Sequence, residues 1–170
     1  MKRSLGFSVL VAAALLVAAP ASALGTNIDT DAQALVERGD MFFEKGDYSA
    51  ALRDYMAAAD LVRKEGQLPA KELRRIANTQ YYDGRYQSAV HTLDKLAKEA
   101  AEYGDIVTEA WAIADAAWVA AIADDKIDAD RRVARLERLL TSPYMPTEEV
   151  EKLRVNRLGD YSANVVALIR

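Results

Sequence analysis

The chain has 170 residues, 51% of them hydrophobic and 28% charged, with a formal net charge of −4. That is enough apolar surface for one core and too little net charge for a disordered or polybasic chain, and no stretch is basic enough for sequence-independent nucleic-acid binding. With no Cys and a single His, disulfides, Fe–S clusters, thiolate zinc sites and cysteine nucleophiles are excluded, and neither a metal nor a cofactor is expected.

In chain order, Lys2 and Arg3 form a positive start, residues 5–19 form an apolar run, and Pro20 precedes Ala21-Ser22-Ala23. This is the pattern of a secretory signal peptide over 1–23, and a membrane anchor would need a longer apolar run, about 20 residues. No Cys follows the cleavage signature to carry a lipid. The expected product begins near Leu24, has no membrane span, and is periplasmic or secreted.

Residues 24–31 read as a short linker, with Asp31 as the N-cap of a helix starting at Ala32. Leu35, Met41 or Phe42, and Phe43 recur at helical spacing until Lys45-Gly46-Asp47 breaks the pattern, and Tyr48, Ala51, Leu52, Tyr55, Ala58 and Ala59 resume it. Gly66 is placed to end this second helix, and Pro69 to start the next. The plan then repeats: Leu73, Ile76, Ala77 and Tyr81 mark a helix, Asp83-Gly84-Arg85 a turn, and Tyr86, Ala89, Val90, Leu93 and Leu96 its partner. Shifting the chain by about 38 residues superposes Ala32 on Ala70, Leu35 on Leu73, Gly46 on Gly84, Tyr48 on Tyr86 and Ala51 on Ala89, the mark of a helical repeat.

A third copy is degenerate. Ala110, Ile113, Ala117 and Ala120 lead into Asp124-Asp125-Lys126, which lacks the turn Gly, and Ala129, Val133 and Leu136 follow. Residues 141–146 read as a loop, and Thr147 as the N-cap of a helix with Glu148 and Glu149 on the favourable side of its macrodipole. Gly159 is expected to end that helix, and 160–170 to form a further short helix or an extended tail, the helix being favoured.

Residues 32–97 resemble two tetratricopeptide repeats. Leu35, Gly39, Phe42, Ala51, Tyr55 and Ala58 occupy the family's small and large apolar positions in the first copy, and Leu73, Ala77, Ala89, Leu93 and Leu96 do so in the second. Gln80 departs from a usual aromatic, Leu96 from a usual small residue, and the period exceeds the family's. The resemblance implies an all-α, right-handed solenoid of helical hairpins: about three repeats over 32–140, with 141–170 as loop and C-terminal cap. Such units cannot bury their apolar faces singly, so about three are needed.

The family's concave groove then implies a protein or peptide partner, met by Gln33, Val36, Asp40, Phe43 and Glu44 in copy one and by Lys71, Arg74, Asn78, Tyr81 and Tyr82 in copy two. Arg74 and Asn78 lie one helical turn apart, so a guanidinium and an amide can jointly hold a backbone group or carboxylate beside Tyr81. The competing reading makes Arg74 and Arg75 a solvated face near Glu72. Trp111 and Trp118, seven apart with Asp115 between them, share one face of an almost wholly apolar segment, either as core residues or as an aromatic surface for a partner.

His91 reads as exposed and without catalytic partners. The cluster Asp124, Asp125, Asp128 and Asp130 lacks the Gly and Glu of a calcium loop and reads as capping acids at a turn. No phosphate loop, nucleophile elbow or zinc-protease motif is present, and an enzyme could rest only on carboxylates such as Asp40 and Glu44. The expected function is that of a non-enzymatic scaffold or adaptor binding a protein segment through Asp40, Phe43, Glu44, Arg74, Asn78, Tyr81, Trp111 and Trp118. The alternative is a structural or oligomerising subunit of a cell-envelope complex, using the Trp111/Trp118 helix between copies of the chain.

Overall fold

The protein is all-helical across residues 28–158, the part described by the computed structural model. The expected signal segment 1–23, Gly159 and the expected terminal helix lie outside the described residues. Among the described residues seven α-helices follow one another: α1 (Ile28–Glu44), α2 (Tyr48–Lys64), α3 (Ala70–Tyr82), α4 (Tyr86–Tyr103), α5 (Ile106–Ile122), α6 (Lys126–Leu140) and α7 (Thr147–Leu153). A π-helical turn, Arg154–Leu158, continues α7. From α1 to α6 each helix packs against the next, and α7 and the π turn fold back onto α5.

The turns explain why the chain doubles back where it does. Gly46 at φ +76° and Gly84 at φ +73° end α1 and α3 in the left-handed region, where a side chain costs energy. At each turn two amides bond back to the helix end: Gly46 N–H to Phe43 C=O and Asp47 N–H to Phe42 C=O, then Gly84 N–H to Tyr81 C=O and Arg85 N–H to Gln80 C=O. The third turn, expected to be degenerate for want of a Gly, has the same pattern, with Asp124 N–H to Ala121 C=O and Asp125 N–H to Ala120 C=O. Asp124 takes the left-handed conformation at φ 61°, which a short polar side chain tolerates better than most. The backbone therefore repeats where the sequence match fades.

Two expected caps fall elsewhere. α1 starts at Ile28, so Asp31 lies inside it; nothing between 28 and 31 breaks a helix, and acids near its start suit the dipole. α7 starts at Thr147 with Pro146 in the extended N-cap position, because a proline needs no amide partner there. Side-chain caps do form at Asp47, Asp105 and Asp125, each accepting from the amide three residues on.

Val36, Leu52, Tyr55, Leu73, Ile76, Leu96, Ile113, Leu136 and Leu153 belong to one buried cluster running between the hairpins. A second cluster joins Ala77, Val90 and Leu93 to Val119, Ala120 and Ala129. Val36, expected in the groove, is only 1% exposed, since Ala32, Val36 and Gly39 form the stripe of α1 turned inward. A Cβ on Gly39 would stand 2.6 Å from Cε1 of Tyr55, so the small residue is what lets that ring lie across α1. α5 is buried on most sides, and its alanines allow α4 and α6 to approach closely.

Candidate functional site

The α3 sequence is amphipathic. Leu73, Ile76 and Ala77 turn into the core, which leaves Lys71, Arg74, Arg75, Asn78, Tyr81 and Tyr82 along one edge at helical spacing. Opposite them stand Asp115, Trp118 and Val119 of α5, with Leu93 of α4 below and Arg157 of the π turn closing one side. Together these residues enclose a cleft of about 450 Å³.

Most of its charges are already engaged. Arg75 donates from Nε and Nη2 to the two carboxylate oxygens of Asp40, at 2.8 and 3.0 Å, and the Tyr55 hydroxyl donates to the same carboxylate at 2.6 Å. The Arg75 hydrogen bonds hold Asp40 below the usual carboxylate range, against the opposing effect of burial. Burial, and then the hydrogen bond to Asp40, push the Tyr55 hydroxyl well up. Arg157 donates to Asp115 at 2.8 Å, and its guanidinium sits 5.6 Å from the centre of the Trp111 ring. Lys71 reaches a neutral acceptor, Gln33 Oε1, at 3.1 Å. Arg74 is different: its Nε is buried and has no hydrogen-bond partner.

The aromatic wall is continuous. Tyr81 packs on Trp118 with ring centres 5.1 Å apart, on Tyr82 at 5.4 Å and on Tyr86 at 5.5 Å. Burial raises the Tyr81 hydroxyl, assisted by the neighbouring tyrosines. Phe43 meets Tyr82 edge-on at 5.4 Å.

Of the residues expected at the site, Arg74, Asn78, Tyr81 and Trp118 line this cleft together. Asp40 is held by Arg75 and Tyr55 behind it. Phe43 packs on Tyr48 and Tyr82, and Glu44 is exposed at the end of α1. Trp111 lies outside the lining, its indole N–H donating to Glu149 at 2.9 Å. The solvated-face reading of Arg74 and Arg75 does not fit: Glu72 is buried, Arg75 is bonded to Asp40, and both arginines are half-buried. Arg157 was not foreseen. It is far along the chain from α3 and α5, and no local pattern connects them.

Elsewhere, His91 is exposed beside a shallow hollow with Asp60 and Arg63. Asp125 caps α6, and Asp128 is bonded to Arg131 and Arg132. Among the described residues no group of three or more His, Asp or Glu is placed to hold a metal ion, and no helix is long and apolar enough to cross a membrane. No family model and no curated protein matches this sequence.

Proposed function

We propose that the protein is an exported scaffold or adaptor of tetratricopeptide-like build, binding a protein segment along the edge of α3 that faces α5. In this reading the hairpins α1–α2, α3–α4 and α5–α6 form a right-handed solenoid, with α7 and the π turn as its cap. Regular cross-links favour it: Gln33 with Lys71 and Asp94 with Arg132 between hairpins, and Trp111 with Glu149 between the third hairpin and the cap, each join residues 38 apart. Export rests on the signal-like segment 1–23, which makes the periplasm or the exterior the place of action. The observation that carries the binding role is the convergence of Arg74, Asn78, Tyr81 and Trp118 on one cleft. Aromatic and arginine side chains at a concave surface are the groups that dominate binding energy elsewhere.

The alternative, α5 as an interface between copies of the chain, has less support, because α3, α4, α6, α7 and the π turn already flank that helix. A photo-crosslinking residue at exposed Asn78, with exposed Arg53 on α2 as control, tests the binding role in the exporting cell. The expected result is a discrete partner captured from position 78 alone, which in purified form binds the protein and loses affinity to Trp118→Ala. Equal capture from both positions, or capture of the chain by itself, would overturn it.

A further inference from the structure

The cleft carries more positive charge than its own carboxylates neutralise. Lys71, Arg74, Arg75 and Arg157 border it against a single lining acid, Asp115. Asp115 is occupied by Arg157, and Arg75 is occupied by Asp40. Lys71 is hydrogen-bonded to the amide oxygen of Gln33 and feels the Asp40 carboxylate at longer range. Arg74 has no hydrogen bond or ion pair among the described residues, and its Nε has lost water without gaining an acceptor. In a chain whose formal net charge is −4, this is a local site of opposite sign, where Lys71 and Arg74 both lack a bonded carboxylate.

The rest of the lining describes the other half of a ligand. Trp118, Tyr81, Leu93 and Val119 make an apolar wall beside Arg74, its two rings inclined at 45° to one another. The groove does not continue onto α1, whose Asp40 is tied to Arg75 and Tyr55 and whose Phe43 is packed on Tyr82. At about 450 Å³ the space is in the range of small-molecule sites, roughly 300–1,000 Å³. A planar guanidinium fork suits a carboxylate, which can accept two parallel hydrogen bonds from it.

We propose that this cleft binds a small organic carboxylate with an apolar body, the acid accepting from Arg74 and the body packing against Tyr81 and Trp118. Lys71 adds positive potential at the mouth. The inference rests on the adaptor reading's cleft and goes beyond it, naming a free acid as a second ligand of the surface that takes the protein segment.

The test follows the indole N–H resonance of Trp118 in the exported full-length chain, assigned by Trp118→Phe, while phenylacetate is added. Phenylacetamide, inorganic phosphate and the blocked tetrapeptide acetyl-Ala-Asp-Phe-Ala-amide are run in parallel. Phenylacetate is expected to shift the resonance saturably, with the neutral amide and phosphate about tenfold weaker or more, and Arg74→Met is expected to weaken phenylacetate by a similar factor. Arg74→Lys keeps the charge without the fork and is expected to fall between, which preserves the test if the Met variant folds poorly. Equal binding of the amide, equal binding of phosphate, or no effect of either Arg74 variant would overturn the proposal. A response to the tetrapeptide but not to phenylacetate would also overturn it while leaving the adaptor reading standing, and silence from both would overturn it and leave the adaptor reading to the crosslinking test.

Discussion

The first two hairpins and the third reach the same turn by different residues. α1–α2 and α3–α4 close on Gly46 and Gly84, whereas α5–α6 closes on Asp124 in the same left-handed region with the same pair of backbone hydrogen bonds. Their helices differ as well. α3 has one buried edge and one polar edge, which leaves the cleft residues accessible, while α5 is enclosed by helices on both sides and by the C-terminal turn. A repeat is thus kept in the backbone where turn geometry demands it and lost in the side chains where burial differs.

The strongest way to break this comparison is to ask whether the third hairpin stands apart energetically. Leu96 of α4 and Leu136 of α6 are both fully buried in one cluster. Leu96→Ala and Leu136→Ala are each expected to cost about 2–5 kcal/mol, in a single urea transition read by circular dichroism and by tryptophan fluorescence. Two separated transitions in the Leu136 variant would show that α5–α6 folds as its own unit.

The close approach in the first hairpin gives the next effect. Ala normally stabilises a helix interior relative to Gly by about 1 kcal/mol, but the Tyr55 ring occupies the space that a Cβ on Gly39 needs. Gly39→Ala is therefore expected to destabilise by about 1–3 kcal/mol. A stabilised variant in denaturant titration would show that the ring moves aside at little cost.

Acid should act first through the carboxylates that join helices. Arg75 lowers Asp40, and Arg38, donating to Asp54 at 2.6 Å, lowers Asp54. A carboxyl depressed in the folded state contributes stability that is complete above its unfolded value, about 3.9, and is lost as the pH falls through its lower folded value. Stability measured between pH 6 and pH 2 is expected to decline below about pH 4, with a shallower decline in Asp40→Asn. An unchanged slope would mean that the exposed half of Asp40 is screened enough to cancel the coupling. Tyr55→Phe removes the hydroxyl that donates to Asp40 and is expected to cost about 0.5–1.5 kcal/mol.

The smallest effect belongs to the third turn. Asp124→Gly is expected to be neutral or to stabilise by up to about 0.5 kcal/mol, since relief at φ 61° is offset by the freer unfolded chain. Asp124→Ala is expected to lose about 1 kcal/mol, and a harmless Ala would show that the turn there tolerates another conformation.

The hairpin ends were legible because their signals are local. Gly46, Gly84 and Gly66 stand at helix ends in the left-handed region, and alternating small and large apolar residues marked the faces of α1–α4. Half of the expected site residues share the cleft, all of them on α3 and α5. Those on α1 do not, because the orientation of α1 turns Val36 into the core and ties Asp40 to α3 through Arg75. Glu149 as the partner of Trp111 was equally hidden, since a hydrogen bond across 38 residues leaves no local periodicity.

By itself the sequence determined the helical class, the hairpin period and most of the breaks, since each depends on the conformational limits of a few neighbouring residues. Tertiary structure alone decided which charges are spent and which remain. Arg74 and Arg75 are adjacent residues on one helix, yet Arg75 meets Asp40 from α1 while Arg74 has no hydrogen-bond or ion-pair partner among the described residues. Whether a side chain finds a partner depends on how neighbouring helices are rotated and spaced, and that is set by the packing of the whole core.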